Sequence, residues 1–150
     1  MNRNSKGKSR QDRALNAYVK LARAANTAMA YARVGLEDAD LTLSQFAVLE
    51  ALYHLGALNL GELARRILTS SGNLTMVFDN LEKRGLAKRQ QKGKDRRFIL
   101  ATITPAGRRL IARIFPQHSR RIKEVMARLS PAEQEHLGRL CRKLGTGEAE

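Results

Sequence analysis

The chain has 150 residues, and its 28 lysines and arginines outweigh 14 acidic residues to give a formal net charge of +14 at pH 7. Because so large a positive excess opposes compact folding, it indicates a polyanionic partner, with nucleic acid ahead of a membrane surface or an acidic protein. The single cysteine excludes an internal disulfide, and no apolar run reaches the roughly 18 residues that a membrane-spanning helix needs.

Residues 1–11 are expected to form a disordered basic tail, because they contain four basic residues, two serines and a glycine. No apolar stretch follows them, as a secretory signal or an N-terminal anchor would require. The low cysteine content suits a reducing compartment. Together these features predict a cytoplasmic protein without a membrane partner, in which residues 12–150 form a single domain.

Three helices are predicted in the first half of that domain. Over residues 12–36, apolar side chains recur at three- and four-residue steps, and many of them are alanines that allow another helix to approach closely. Thr42 and Gln45 have the spacing of a capping box and mark the start of a second helix. Asn59 and Glu62 repeat that N-terminal signal and begin a short third helix.

The segment SSGNLTMVFDNLEKRG, residues 70–85, predicts a fourth helix. Its apolar residues fall on one face of a 3.6-residue period: Leu74, Val77, Phe78 and Leu81. Gly85 follows the last turn, where a left-handed backbone commonly ends a helix.

The period of the sequence then changes to two residues. Residues 86–91 and 97–104 predict two β-strands. The loop between them lies within the stretch KRQQKGKDRRF, residues 88–98, which holds six basic residues and one aspartate. The pattern therefore predicts a β-hairpin with a strongly basic tip.

Residues 105–145 are predicted to be helical again, beginning with a threonine cap and a proline at the first helical position. Pro116 lies inside the first helix of this part and is expected to kink it. Ser130 and Glu133 form a further capping box that opens the last helix. Cys141 lies on the apolar face of that helix, which favours a buried core residue over a redox sensor.

The order of these elements predicts a winged helix–turn–helix over residues 41–104, a mainly α fold with a small β-hairpin wing. The flanking long helices, 12–36 and 105–145, are predicted to dimerise. In this fold the second helix of the pair enters the major groove with its N-terminal residues against base edges. Those residues are short, polar and able to hydrogen-bond bases or phosphates: Ser70, Ser71, Gly72, Asn73 and Thr75. The alternative for either serine is that it only caps the helix.

The basic residues in and around the hairpin are expected to meet DNA phosphates, and an arginine at the tip can enter the narrow minor groove. These candidates are Arg84, Lys88, Arg89, Lys92, Lys94, Arg96 and Arg97. DNA phosphates would repel Asp95, so its predicted role at the DNA interface is indirect. It is expected to hold the side chain of Arg97 in a fixed direction. The alternative for any single lysine is a solvated charge at a strand edge.

Residues 68–107, which include SSGNLTMVFDNLEKRGLAKR and DRRFILATITPAG, resemble the MarR (multiple antibiotic resistance regulator) family. The resemblance is most specific in the wing, at Asp95, Arg97 and Thr104, and the flanking helices extend it over nearly the whole chain. It implies that Arg97 enters the minor groove and that Asp95 orients it. Met76 is also expected to face DNA, although many members of the family have a basic residue there.

The resemblance implies a homodimer that binds a palindromic operator, most often as a repressor released by a small ligand. A dimer also follows from geometry, because two recognition helices about 34–36 Å apart read successive faces of the major groove. Two alternatives stay open. A nonspecific nucleoid or architectural protein would show little sequence preference, and a module that binds an acidic protein would tolerate loss of Arg97 and Asn73.

The stretches IFPQH, residues 114–118, and RKLG, residues 142–145, are similar to the branch of the family that responds to quinones and hydroquinones. A pocket near the proline would suit a small aromatic effector. Its candidate residues are Tyr31, Tyr53, His54, Pro116 and His118. The alternative is that each is an ordinary core or surface residue, with Pro116 bending its helix around the core.

No catalytic motif stands out, since the sequence has no P-loop, no GxSxG and no HExxH pattern. The histidines and the cysteine lack the clustered spacing of a metal site. The sequence therefore predicts neither an enzyme nor a bound metal or other cofactor.

Overall fold

The computed structural model describes residues 4–67, 71–91 and 99–146, without the side chains of residues 4–11, 71 and 146. The described chain is mainly helical with one small antiparallel sheet, which confirms the predicted fold class. In chain order its elements are α1 (Asn4–Arg33), a 3₁₀ turn (Glu37–Ala39), α2 (Leu43–Leu55), β1 (Leu58–Asn59), α3 (Leu60–Arg66), α4 (Ser71–Lys83), β2 (Ala87–Gln91), β3 (Ile99–Ile103), α5 (Pro105–Met126) and α6 (Pro131–Thr146).

The chain divides into two compact units. The terminal-helix unit contains α1 up to Ala32 and the chain from Arg120 to the end of α6, and the winged-helix unit is Arg33–Ser119. The first half of α5 belongs to the winged-helix unit, where Ile111 is fully buried in the core.

The first helix is longer than predicted. α1 begins at Asn4, so the expectation of a disordered tail is corrected for residues 4–11. Extending an existing helix adds one hydrogen bond for each residue that is fixed, and therefore costs far less than starting a helix. The lysines, arginine and glutamine in this segment are also good helix formers.

The core of the winged-helix unit is built from aliphatic and phenylalanine side chains of α2, α3, α4 and α5. Each fully buried side chain of this kind stabilises the fold by roughly 1.5–3 kcal/mol relative to an exposed one. The largest are Phe46, Val48, Leu49, Leu52, Leu63, Leu74, Phe78, Leu81 and Ile111. The predicted apolar face of residues 70–85 contributes three of them.

Local hydrogen bonds begin the helices where the sequence indicated. At α2, the Gln45 backbone N–H donates to Thr42 Oγ1 at 3.2 Å, and the Thr42 N–H donates to Gln45 Oε1 at 2.9 Å. At α3, Asn59 Oδ1 accepts from the Glu62 N–H at 2.8 Å. These contacts confirm the predicted caps and leave fewer helix N–H groups without a partner.

The sheet has the strand order β1-β3-β2, and both pairs are antiparallel. Ala87 pairs with Ile103 in the predicted hairpin, whereas Leu58 of β1 pairs with Ala101 on the other side of β3. β1 was not predicted, because two residues are too few to show a period. It connects the link between α2 and α3 to the base of the wing.

The terminal-helix unit leaves much apolar surface exposed on the single chain. Large apolar side chains of α1 and α6 are involved: Leu15, Tyr18, Val19, Met29, Leu137, Leu140 and Leu144. Cys141 is exposed as well. The prediction of a buried Cys141 is therefore wrong for the single chain, since the described residues do not cover this face of α6. No helix in the described ranges is long and apolar enough to cross a membrane.

Candidate nucleic-acid interface

α4 has a buried side and an exposed side. Leu74, Phe78 and Leu81 are at most 1% exposed and anchor the helix in the core. Four of the predicted DNA-contacting residues are exposed on its first turns: Gly72, Asn73, Thr75 and Met76. Ser70 and the side chain of Ser71 lie outside the described residues. The structure thus exposes mostly short side chains on one side of a helix whose other side is fixed in the core.

The side chain of Gln45 connects α2 to this helix. Gln45 Nε2 donates to Asn80 Oδ1 at 2.8 Å, while Gln45 Oε1 accepts the Thr42 N–H of the capping box. Gln45 is only 9% exposed, and a buried amide without partners would be costly. The start of α2 and the position of α4 therefore depend on the same residue.

Arg89 joins the first strand of the wing to α4. Arg89 Nη2 donates to Asp79 Oδ1 at 2.6 Å, Nη1 donates to Glu82 Oε2, and the Arg89 backbone N–H donates to Glu82 Oε1 at 2.7 Å. The guanidinium also lies 4.9 Å from the centre of the Phe78 ring. We call Arg89, Asp79 and Glu82 the Arg89 clamp.

The charges of the Arg89 clamp balance one another. Burial alone lowers the pKa of Arg89, but the hydrogen bonds and negative charges of Asp79 and Glu82 outweigh that effect and raise the pKa above its ordinary value. The two carboxylates of α4 are thus paired with a permanent cation. Repulsion between α4 and an approaching polyanion is reduced by this pairing.

Two of the predicted DNA-contacting arginines have partners within the chain. Arg84 donates to the backbone carbonyls of Asp40 and of Ala39, the latter at 3.1 Å. Asp40 has a left-handed backbone with φ of 50°, which non-glycine residues adopt at some cost. Arg84 therefore stabilises this turn and Arg89 connects β2 to α4, so both arginines help to hold the unit together.

The base of the wing is described, and its tip is not. Lys88 of β2 is exposed. The predicted contacts of the tip lie outside the described residues: Lys92, Lys94, Asp95, Arg96 and Arg97. Thr104, which the family pattern groups with the wing, donates its hydroxyl to the Gly85 carbonyl at 2.6 Å and accepts from the Gly107 N–H at 3.1 Å. It therefore locks the base of the hairpin and caps α5.

Three of the predicted effector residues lie in aromatic contacts of the winged-helix unit. The His54 ring packs edge-on against Tyr53 and Phe115, at centroid distances of 5.0 and 4.8 Å. The His118 ring lies 4.2 Å from that of Phe46. We call these five residues the aromatic cluster, which combines apolar rings with groups able to hydrogen-bond a small ligand.

The remaining predicted effector residues are arranged differently. Pro116 is exposed, and α5 continues as a helix on both sides of it. Tyr31 belongs to the terminal-helix unit, where its hydroxyl accepts from Arg128 Nη2 at 3.0 Å. The sequence missed Arg108, whose guanidinium carbon lies 5.4 Å from the Tyr53 ring centre. Arg108 precedes Phe115 by seven residues, about two turns of a helix, so the sequence already placed both on the same face of α5.

Within the described ranges, no group of three or more His, Cys, Asp or Glu could hold a metal ion.

Comparison with known proteins agrees with this geometry. The profile of the MarR family matches residues 41–99. The HTH-type transcriptional regulators YkoM and MhqR of Bacillus subtilis (strain 168) are 37% and 34% identical to this chain over 134 residues, which are 89% of this chain and 87% and 92% of theirs. The structure of BpsR from Bordetella bronchiseptica, described with the regulation of its DNA binding by 6-hydroxynicotinic acid, has a TM-score of 0.76 at 29% identity, over 86% of this chain and 98% of BpsR. The chain therefore belongs to the MarR family of DNA-binding transcriptional regulators, as its wing sequence predicted.

Proposed function

We propose that this regulator is a homodimeric repressor that binds a palindromic operator and is released by a small phenolic or quinone-like ligand or by an oxidant. The exposed side of α4 carries the proposal. Gly72, Asn73 and Thr75 face outward there, while the buried side of the same helix is fixed in the core. A recognition helix needs this combination, because base readout requires side chains in fixed positions at the floor of a groove.

The charges around the helix–turn–helix support contact with DNA. Asp79 and Glu82 of α4 are paired with Arg89, and Glu62 of α3 lies 3.6 Å from Arg66. Lys83 and Lys88 are exposed, and they are not part of the Arg89 clamp. An approaching phosphate backbone would therefore meet net positive charge, which supplies most of the sequence-independent affinity.

The exposed apolar surface of the terminal-helix unit supports a homodimer. Leu140 and Leu144 of α6 are 51% and 71% exposed, and Leu15 and Tyr18 of α1 are 59% and 68% exposed. On α6, Leu137, Leu140 and Leu144 share one helix face, and a large exposed apolar face marks an interaction site more often than a solvent face. A second copy is the occupant that two-fold operator recognition requires.

Leu140→Glu is expected to shift the protein from dimer to monomer. A charge buried against an apolar interface costs on the order of 3 kcal/mol, which weakens association by more than about a hundredfold. Sedimentation velocity across a concentration series measures this shift. Arg139→Glu is the control, because it places the same side chain about 100° away around α6 and changes the charge by more, yet it should stay dimeric. An unchanged dimer in Leu140→Glu would mean that this face of α6 is not the interface.

The aromatic cluster supports a phenolic or quinone-like effector. Phe115 offers a ring contact, the imidazoles of His54 and His118 are of a type that can hydrogen-bond a ligand, and Arg108 over Tyr53 offers a positive charge to a phenolate or carboxylate. BpsR, whose DNA binding is regulated by 6-hydroxynicotinic acid, supports an aromatic acid or phenol as the ligand class. Exposure of Cys141 keeps an oxidant among the candidate signals.

The direct test is a binding titration of the full chain. Its upstream intergenic DNA is compared with a scrambled duplex at about 150 mM salt, because affinity for DNA depends steeply on salt. A preference of roughly a thousandfold or more is expected for a specific site, and a hydroquinone should reduce it. Equal affinity for both duplexes would favour a nonspecific architectural protein, the other function that a net charge of +14 allows.

Two wing substitutions separate base or groove recognition from general phosphate contact. Arg97→Ala is expected to weaken operator binding by roughly 1–3 kcal/mol and to leave nonspecific binding nearly unchanged. Lys88→Ala should weaken both duplexes equally and lower the slope of log affinity against log salt by about one. Both are measured in the same titration. An unchanged operator affinity in Arg97→Ala would remove its minor-groove role.

A further inference from the structure

We propose that Met76 reads the 5-methyl group of a pyrimidine, thymine in unmodified DNA, in the major groove of each half-site. This inference rests on the proposed function, since it assigns one specificity to the surface of α4. Met76 is 68% exposed and lies on a shallow surface of that helix formed with Gly72, Thr75, Asp79, Asn80 and Lys83.

The position of Gly72 opens the space around Met76. Helical side chains lean toward the N-terminus of their helix, so Met76 lies over the turn that contains Gly72. Gly72 has no side chain, and an added Cβ there would meet nothing within 4 Å. The thioether is therefore accessible at the end of α4 that enters the groove.

The chemistry of methionine selects the partner. Its side chain has no hydrogen-bond donor and only a weak acceptor, so it contributes little to a phosphate or to a polar base edge. Among the four bases, only thymine presents an apolar group in the major groove, its 5-methyl. 5-Methylcytosine presents the same group. Contact with it removes apolar surface from water on both sides.

The neighbouring charges leave this contact to methionine. Asp79, which follows Met76 on the same surface, is held by Arg89 at 2.6 Å. The negative charge of Asp79 on this surface is therefore already balanced by Arg89. Met76 is thus an exposed apolar residue on the recognition surface with no packing role in the core, and a methyl group in the groove fits it.

The test begins with an operator selected from random duplexes by the full-length protein. Each thymine of one half-site is then replaced by uracil, which removes a single methyl group. One position is expected to lose about three- to tenfold in affinity, the value of one buried methyl group. In Met76→Ala the same replacement should have no effect, and in Met76→Leu the penalty should remain. Lys83→Ala is the matched control on the same surface and should keep the full penalty.

The outcomes are distinguishable from failure of the proposed function. If selection yields no preferred sequence, the proposed function fails. If a preferred sequence emerges but wild type and Met76→Ala respond identically to every uracil, only the Met76 inference is overturned. The wild type should bind a duplex with 5-methylcytosine at the sensitive position more tightly than one with cytosine there. Met76→Ala should bind the two duplexes equally. Equal binding of both cytosines by the wild type would also overturn the inference. Equal melting temperatures of the two proteins exclude misfolding as the cause.

Discussion

Replacing Gly107 with alanine is expected to destabilise the winged-helix unit by about 3 kcal/mol or more. A Cβ at this position would lie 2.0 Å from the Leu86 carbonyl oxygen, 3.0 Å from the Leu86 carbonyl carbon and 2.9 Å from Ile103 Cγ1. The first two atoms are backbone, so relief requires α5 to move away from the start of the wing. Chemical denaturation of the full chain measures the loss.

The matched control for Gly107→Ala is Gly61→Ala in α3 of the same unit. A Cβ at Gly61 meets only Asn59 Oδ1, at an ordinary 3.5 Å, and alanine is the better helix former by about 0.5–1 kcal/mol. Gly61→Ala should therefore be neutral or slightly stabilising. Equal stabilities of the two variants would mean that α5 is not in close contact with Leu86.

Replacing Arg89 with methionine is expected to lower the free energy of unfolding by about 2–3 kcal/mol, the value of charge-assisted hydrogen bonds to partly buried groups. The change removes both side-chain ion pairs and leaves Asp79 and Glu82 as adjacent unpaired carboxylates on α4. Methionine keeps most of the packing against Phe78. Operator affinity should fall in addition, because α4 then presents two free negative charges to the phosphates.

Arg66→Met is the matched control, since it breaks a single exposed pair with Glu62 within α3 and should cost less than about 0.5 kcal/mol. Arg89→Lys keeps the charge but not the two-pronged geometry, so we expect an intermediate loss. Denaturation and the operator titration are measured on all three variants. A stability of Arg89→Met within error of Arg66→Met would contradict the clamp.

Helix starts and the core face of α4 were predictable because their determinants are local. The caps at Thr42 and Asn59 each meet a partner three residues ahead, so their chemistry is complete within one turn. In the same way, a period of 3.6 residues separates the buried Leu74 and Phe78 from the exposed Met76 without reference to the rest of the chain. Most of the described recognition surface follows from that separation.

The partners of the basic residues were not predictable. Arg84 and Arg89 belong to a run of positive charges that the sequence assigned to DNA, but the folded chain directs them to the turn at Asp40 and to the carboxylates of Asp79 and Glu82. The contacts of Arg89 exist only after β2 has packed against α4, and those of Arg84 only after the turn at Asp40 has packed against the end of α4. The distribution of charge along a sequence shows how many cations there are. It does not show which of them are paired with carboxylates of the same chain after folding.

The cover of an apolar face was not predictable either. Periodicity correctly placed Cys141 with the leucines of α6, yet it could not say that the described chain leaves that face exposed. β1 was missed for a related reason, because its pairing of Leu58 with Ala101 depends on a strand that comes much later in the sequence. Both features are decided by tertiary or quaternary contacts.

The backbone hydrogen bond of the Arg89 clamp also occupies a donor at an open edge of the sheet. β2 lies at the edge of the sheet, and an exposed edge strand offers free N–H groups on which another chain can add a strand. Glu82 Oε1 accepts the Arg89 N–H on that edge, and Lys88 adds a like charge that opposes a second identical edge. Loss of Glu82 would therefore free a donor on this edge and make it easier for a second chain to add a strand beside β2.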